Sequence, residues 1–419
     1  MHIFLLEHLN MAERSCRLNP VSDIENLAVL TRFTLPQILW RQAEDPIDGH
    51  PAIKEKRLGH WETYSTRQYL HYTRRIALGF IALGVRRGEK IAILLSNQSE
   101  WLFCTLAAQA LGCTSVSLPS GPLSNGTLEC LRRTHVSLLV ASGYGGIDRL
   151  LLYRKDLTSL KRVIYVDPSL THPYWDNPWL IGLAEVIEMG GEIDTAQPDL
   201  FIKELWEGKP DDQASLILRD SAGAVPPLVP VTHRGLIVPA AAWLKAIPWL
   251  SGANWASFEP APSSVEQFWS LAVATCAGML IHFPETPETL AEDLGLIHPD
   301  VIVARSTFWQ EFAAQIRLAV EGGTPVLRRL HALNLALSAG DPETASFGRT
   351  SSLKTVLRWT LRHLLCGPLK ARTGLAACRA AYTHGTPLKR QTLDFLRAYG
   401  IPLREMRGHP LEDGYGMPC

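Results

Sequence analysis

Short apolar runs alternate with stretches of helical periodicity along most of this chain, and that alternation restricts the fold more than any other feature. Lys90-Ile91-Ala92-Ile93-Leu94-Leu95 is a run of the kind buried in a parallel sheet. A helix over Glu100–Ala110 follows, and then a strand around Thr114–Leu118. Ser137–Ala141, Arg162–Val166, Leu216–Leu218, Leu280–Phe283 and Val301–Ala304 read as further strands. Helical stretches lie near the last two, over Pro287–Leu294 and Trp309–Val320. Upstream, helices are predicted from Leu35 to Gln42 and over 66–84, where Tyr69, Tyr72, Ile76, Ala77, Phe80, Ile81 and Leu83 share one face. Strand–helix alternation over this length implies an α/β fold with largely parallel sheets flanked by helices. Residues 168–179, rich in proline and aromatics, read as a loop.

At 419 residues the chain exceeds one ordinary core, so two or three subdomains are expected. Lys+Arg and Asp+Glu both number 41, which leaves no global field to attract nucleic acid. Eight cysteines stand without CxxC or zinc spacing, mostly in apolar surroundings such as Phe103-Cys104-Thr105. They read as buried reduced thiols, and the expected location is the cytoplasm. The start, Met1-His2-Ile3-Phe4-Leu5-Leu6-Glu7, lacks a basic region, so no signal peptide is expected, and Met11 is an alternative start. No run reaches about 18 apolar residues, the length of a spanning helix.

From residue 61 onward the chain resembles a known family. Trp61-Glu62-Thr63-Tyr64, the run from Ala77 through Gly84-Val85-Arg86-Arg87-Gly88-Glu89 to Ile93, and Asn97-Gln98-Ser99-Glu100-Trp101 are similar to the opening of long-chain acyl-CoA synthetases. The likeness continues, in order, through Ile147-Asp148-Arg149, Val163–Asp167, Pro284–Leu290, Pro299–Ile302, Thr383–Leu388 and Phe395–Leu403. It identifies residues 35–406 as the large domain of an adenylate-forming, AMP-binding enzyme of the fatty acid–CoA ligase type. Residues 1–34 then form an extension and 407–419 a divergent tail. The resemblance implies two similar, interleaved α/β subdomains, 97–234 and 35–96 plus 235–406, with the family's small β-barrel and C-terminal lid not encoded. Its chemistry uses ATP and Mg to turn a carboxylate into an acyl-adenylate, which CoA then converts to a thioester.

The family's phosphate loop reads approximately Y-T-S-G-T-T-G-x-P-K-G. Glycines let backbone N–H groups close on phosphate, and the lysine supplies a point charge. Here the corresponding stretch is Arg219-Asp220-Ser221-Ala222-Gly223-Ala224-Val225-Pro226-Pro227-Leu228, one residue shorter, with Leu228 in the lysine's place. Ser221, Gly223 and the trailing Thr232 are what the resemblance retains for nucleotide binding. Losing one well-placed donor to a transition-state charge costs about 10²–10³ in rate. The motif P-L-x-H-I-x-E falls on Pro260–Glu266, with Ser263 at the histidine and Glu266 kept. The resemblance assigns Ser263, Glu266 and Trp309 to the acyl pocket. It assigns the turn Gly385-Thr386-Pro387-Leu388 to the border of the adenine site. The adenine motif Y-G-x-T-E falls on Arg407–Leu411 by spacing, or on Tyr415-Gly416-Met417 by letters, and neither supplies Thr-Glu.

These residues imply no intact catalytic set and no metal site. The reading they support is a divergent, C-terminally truncated synthetase, impaired or a pseudoenzyme that binds an acyl ligand or a partner. An alternative is residual activity, or activity completed by a separate lid chain. A gene relic without function is the third reading. CoA binding is not expected on this chain alone. Residues 350–365 place Lys354, Arg358 and Arg362 opposite Leu353, Val356, Leu357, Leu361, Leu364 and Leu365. This basic amphipathic helix is either a solvated surface or a peripheral contact with the inner membrane surface or a phosphorylated ligand.

Overall fold

The computed structural model describes residues 27–45, 49–142, 144–167, 177–219, 227–338, 374–375 and 377–406. The basic segment 350–365 and the tail 407–419 lie outside them. Fourteen strands are described. In chain order they are β1 (Pro51–Arg57), β2 (His60–Ser65), β3 (Lys90–Leu94), β4 (Thr114–Ser117), β5 (Leu138–Ala141), β6 (Arg162–Tyr165) and β7 (Leu180–Gly182). They continue as β8 (Gln213–Leu218), β9 (Leu228–Thr232), β10 (Asn254–Ala256), β11 (Leu280–Phe283), β12 (Val301–Arg305), β13 (Ala380–His384) and β14 (Leu403–Glu405).

Two compact units result. The first takes residues 1–54, 62–252 and 260–280; the second takes 55–61, 253–259 and 281–419. These bounds follow packing, and cut the chain differently from the division that the resemblance implies. The first unit carries a seven-stranded sheet of order β7-β6-β5-β3-β4-β8-β9, parallel except for the antiparallel β8–β9 pair. A second seven-stranded sheet has the order β14-β13-β12-β10-β11-β1-β2, with β10, β12, β13 and β14 paired in parallel.

The central strands are buried on both faces, which is why they read as continuous apolar runs rather than alternating ones. Strand β4, Thr-Ser-Val-Ser, is the exception: it is buried yet polar. Its hydroxyls are satisfied internally. The Ser115 and Ser215 hydroxyls hydrogen-bond at 2.8 Å, and Gln109 Nε2 donates to both, at 3.3 and 3.2 Å. Gln109 comes from helix α1 (Ser99–Ala110), which is buried along nearly its whole length beneath this sheet. Cys104, Cys113, Cys130 and Cys276 are buried free thiols, and burial, as the largest influence, pushes Cys113 and Cys276 up to about 12. No helix of the described residues is long and apolar enough to cross a membrane.

Helices Thr66–Ala82 and Leu183–Ala196 approach so closely that only glycine fits at their crossing. A Cβ at Gly190 would stand 1.8 Å from the Arg75 carbonyl oxygen, and one at Gly79 would stand 2.2 Å from that of Val186. Backbone cannot yield as a side chain can. Gly190→Ala is therefore expected to lower stability by about 1–3 kcal/mol in urea unfolding. Gly49→Ala, which meets open space, is the control and should stay within about 0.5 kcal/mol of wild type. Equal midpoints for the two variants would remove the packing argument.

Helix α2 (His233–Ala246) starts at a buried histidine. The His233 Nδ1 accepts the Leu35 backbone N–H at 3.2 Å, so the segment near residue 35 is pinned to α2 within the first unit. Burial pushes His233 down to about 3 from 6.5. The folded chain thus keeps this imidazole neutral between those values, while an unfolded chain binds the proton. Stability is fully present above pH 6.5 and is lost as pH falls toward 3, by up to about 1.4 kcal/mol per pH unit. His233→Asn keeps an acceptor for Leu35 and cannot titrate. Its urea midpoint should fall less steeply than wild type below pH 6.5, and superimposable pH profiles would refute the assignment.

Candidate functional site

Parallel strands deliver their loops to the carboxyl edge of a sheet, and ligands of α/β proteins bind outside that edge. Each unit has such an edge, and the predicted site residues fall on both.

In the first unit, β4 ends at Ser117. Its hydroxyl accepts from Trp101 Nε1 at 3.3 Å and from Gln267 Nε2 at 2.8 Å. Gln267 Nε2 also donates to the Ala261 carbonyl at 2.8 Å, which fixes the Pro260–Glu266 segment. Ser263 caps the short helix Ser264–Glu266: its hydroxyl accepts from the Glu266 backbone N–H at 3.1 Å. Glu266 is fully buried, and its carboxylate accepts a short hydrogen bond from Ser270. Residues Gln267–Val273 continue as π-helix, a widened turn often found at functional sites. Ser263 and Glu266 are thus brought together, with Ser263 as a structural cap.

Strand β8 leads into the phosphate-loop stretch. Ser221 and Gly223 lie outside the described residues, as do Tyr415 and Gly416. Beyond the loop, Leu228 opens β9 opposite Leu218, and both pack with Leu216 against the first unit's core. Thr232 spends its hydroxyl on the Gly235 N–H, 3.0 Å away, capping α2. The lysine position therefore holds a core-packed aliphatic side chain. Residues 220–226 of the loop lie outside the described residues.

In the second unit, β10, β12 and β13 are neighbours; β12 and β13 end together at Arg305 and His384, and the chain after β10 reaches them at Glu259. β13 runs into Gly385, with φ +81° and no heavy atom within 4 Å of where a Cβ would be. Gly385, Thr386 and Pro387 are exposed, and Leu388 returns to the core. Trp309 is wholly buried. Its Nε1 donates to the Tyr382 carbonyl at 3.1 Å, and Phe308 and Phe312 pack on it, so it belongs to the core of this unit.

Three residues without a motif of their own in the sequence meet at this edge: Glu259, Arg305 and His384. Glu259 is 5% exposed. Its Oε1 accepts the Arg305 backbone N–H at 2.8 Å, and its Oε2 accepts Arg305 Nε at 3.1 Å. The His384 Nε2 lies 3.5 Å from Oε1. Burial alone would raise the Glu259 carboxyl, but His384 and Arg305 outweigh it and hold the group below the usual carboxylate range. Among the described residues, no group of three His, Cys, Asp or Glu side chains converges as a metal site.

The AMP-binding enzyme family matches residues 39–417. Long-chain-fatty-acid–CoA ligase ACSBG2 of Xenopus laevis is 21% identical over 405 residues, covering 95% of this chain and 54% of the relative. The chain thus spans about half the length of the curated relatives it matches. Among solved structures, the A domain of carboxylic acid reductase from Segniliparus rugosus, in complex with AMP and a co-purified carboxylic acid, aligns with a TM-score of 0.65. It is 16% identical, covering 95% of this chain and 64% of that one. The adenylation domain of the Mycobacterium chelonae carboxylate reductase aligns at 0.63, with 15% identity over 96% of this chain and 62% of that one. At such identity these structures bear on the fold, two mostly parallel sheets flanked by helices. By the match over residues 39–417, the chain belongs to the AMP-binding enzyme family.

Proposed function

We propose that this chain is a divergent acyl-CoA ligase-like protein that binds an acyl carboxylate and has lost efficient adenylate formation. The observation that carries the reading is Leu228. Adenylation brings a carboxylate oxygen onto the α-phosphate while pyrophosphate leaves, and negative charge must be neutralised as it shifts. At the position where the resemblance places the family's lysine, Leu228 packs with Leu216 and Leu218 against the core. Thr232 is committed to capping α2. The Pro260–Glu266 segment, by contrast, is held firmly by Gln267, Ser263 and Ser270. Acyl recognition needs mainly a shaped apolar space, which tolerates substitution better than a phosphate cradle does. The ligand class expected from the relatives' names is a long-chain fatty acid.

The test pairs binding with turnover. Titration of the full chain with palmitate should give saturable heat, and titration with ATP and Mg should give none in the micromolar range. Leu228→Lys should not restore acyl-CoA formation, because one cation does not rebuild a cradle. It should also lower the melting temperature, because an ammonium replaces core-packed methyls. Acyl-CoA formation by the wild-type chain at about 1 per second, the low end of ordinary enzyme rates, would overturn the proposal.

A further inference from the structure

We propose that Arg305 and His384, both set against the buried Glu259, form a receptor for one oxyanion at the carboxyl ends of β10, β12 and β13. The oxyanion is a phosphate or a carboxylate, and the inference rests on the ligand-binding reading above.

Glu259 engages only part of the Arg305 guanidinium. The Nε edge is used, together with the backbone N–H. Among the described residues, the two terminal nitrogens of Arg305 meet no acceptor, and its side chain is 44% exposed. Those two nitrogens form the planar fork that takes a carboxylate or phosphate through two parallel hydrogen bonds. His384 adds a second donor. Its Nε2 is buried without a well-formed hydrogen bond, because 3.5 Å to Glu259 Oε1 is beyond good geometry. Beside it the backbone at Gly385 borders open space.

A stabilising role alone explains this arrangement poorly. With the Arg305 side chain 44% exposed, the pair adds little stability. What the carboxylate does provide is orientation: held at two points, the guanidinium cannot swing away, and a ligand need not restrain it on arrival. Arg305 would thus supply a cation of the kind that position 228 lacks.

The experiment uses the full chain and two ligand pairs that differ only in the anion: AMP against adenosine, and dodecanoate against dodecanol. Calorimetry should show that Arg305→Gln weakens one of the anions by about 10- to 100-fold. The neutral partner should be unchanged, and the pair that responds identifies phosphate or carboxylate as the source. Arg305→Gln leaves Glu259 without its cation and could unfold this edge. The double variant Arg305→Gln/Glu259→Gln removes both charges of this pair, and should show the same loss. In parallel, the ¹⁵N resonance of Arg305 Nε should shift with inorganic phosphate in wild type. Anion affinities within twofold of wild type in both variants would overturn the receptor and leave the ligand-binding reading standing. If neither AMP nor dodecanoate binds wild type, that reading falls. A phosphate-induced shift at Arg305 then still supports the receptor, and its absence overturns both.

Discussion

Parallel strands cannot be joined by tight turns, so every crossover must run over a face of the sheet and return, leaving its loops on one edge. That constraint organises this chain. It buries β3 and β5 on both faces, and it demands helices such as Ser99–Ala110 that are apolar nearly all round. It also collects Ser117 and Leu218 at one edge, and Glu259, Arg305 and His384 at another, from segments far apart in sequence. The polar strand β4 is accommodated in this core because its Ser115 hydroxyl bonds Ser215, Gln109 Nε2 and the Ala214 carbonyl.

The two edges differ in charge. The first unit's edge holds a buried carboxylate, Glu266, bonded to a hydroxyl, and the core-packed Leu228. The second unit's edge holds a buried carboxylate with a guanidinium and an imidazole against it. Each arrangement is internally consistent: Leu228 completes a core as Lys would not, and Glu259 fixes Arg305 as an apolar residue would not. The side chains at the two edges therefore differ in charge and in hydrogen bonding. Two seven-stranded sheets present them.

Much of that scaffold is legible in the sequence. Lys90–Leu95 and Val301–Ala304 announce buried parallel strands because no face needs to be polar, and both occur. Strand β10 escapes a sequence reading because it has only three residues, Asn254–Ala256. Strand β13, Ala-Ala-Tyr-Thr-His, carries little apolar signal and is held by its pairing with β12. The helix expected from Pro287 begins at Leu290, because Thr286 and Thr289 form a hydroxyl-bonded turn ahead of it and Asp293 accepts from Thr289 and Glu285. Ser263 is readable as a cap, since Ser263-x-x-Glu266 is a capping signature. The Glu259–Arg305–His384 cluster has no local signature, since only strand order brings those residues together.

We propose that carboxylate recognition persists in this chain while the phosphate cradle does not. Hydrogen exchange of the full chain, read by mass spectrometry with palmitate and separately with ATP and Mg, tests it most directly. The account predicts that palmitate slows exchange in peptides covering 254–284 and 301–309, while ATP leaves 213–219 and 227–232 unchanged. Protection of 213–219 and 227–232 by ATP, with no response to palmitate, would contradict it.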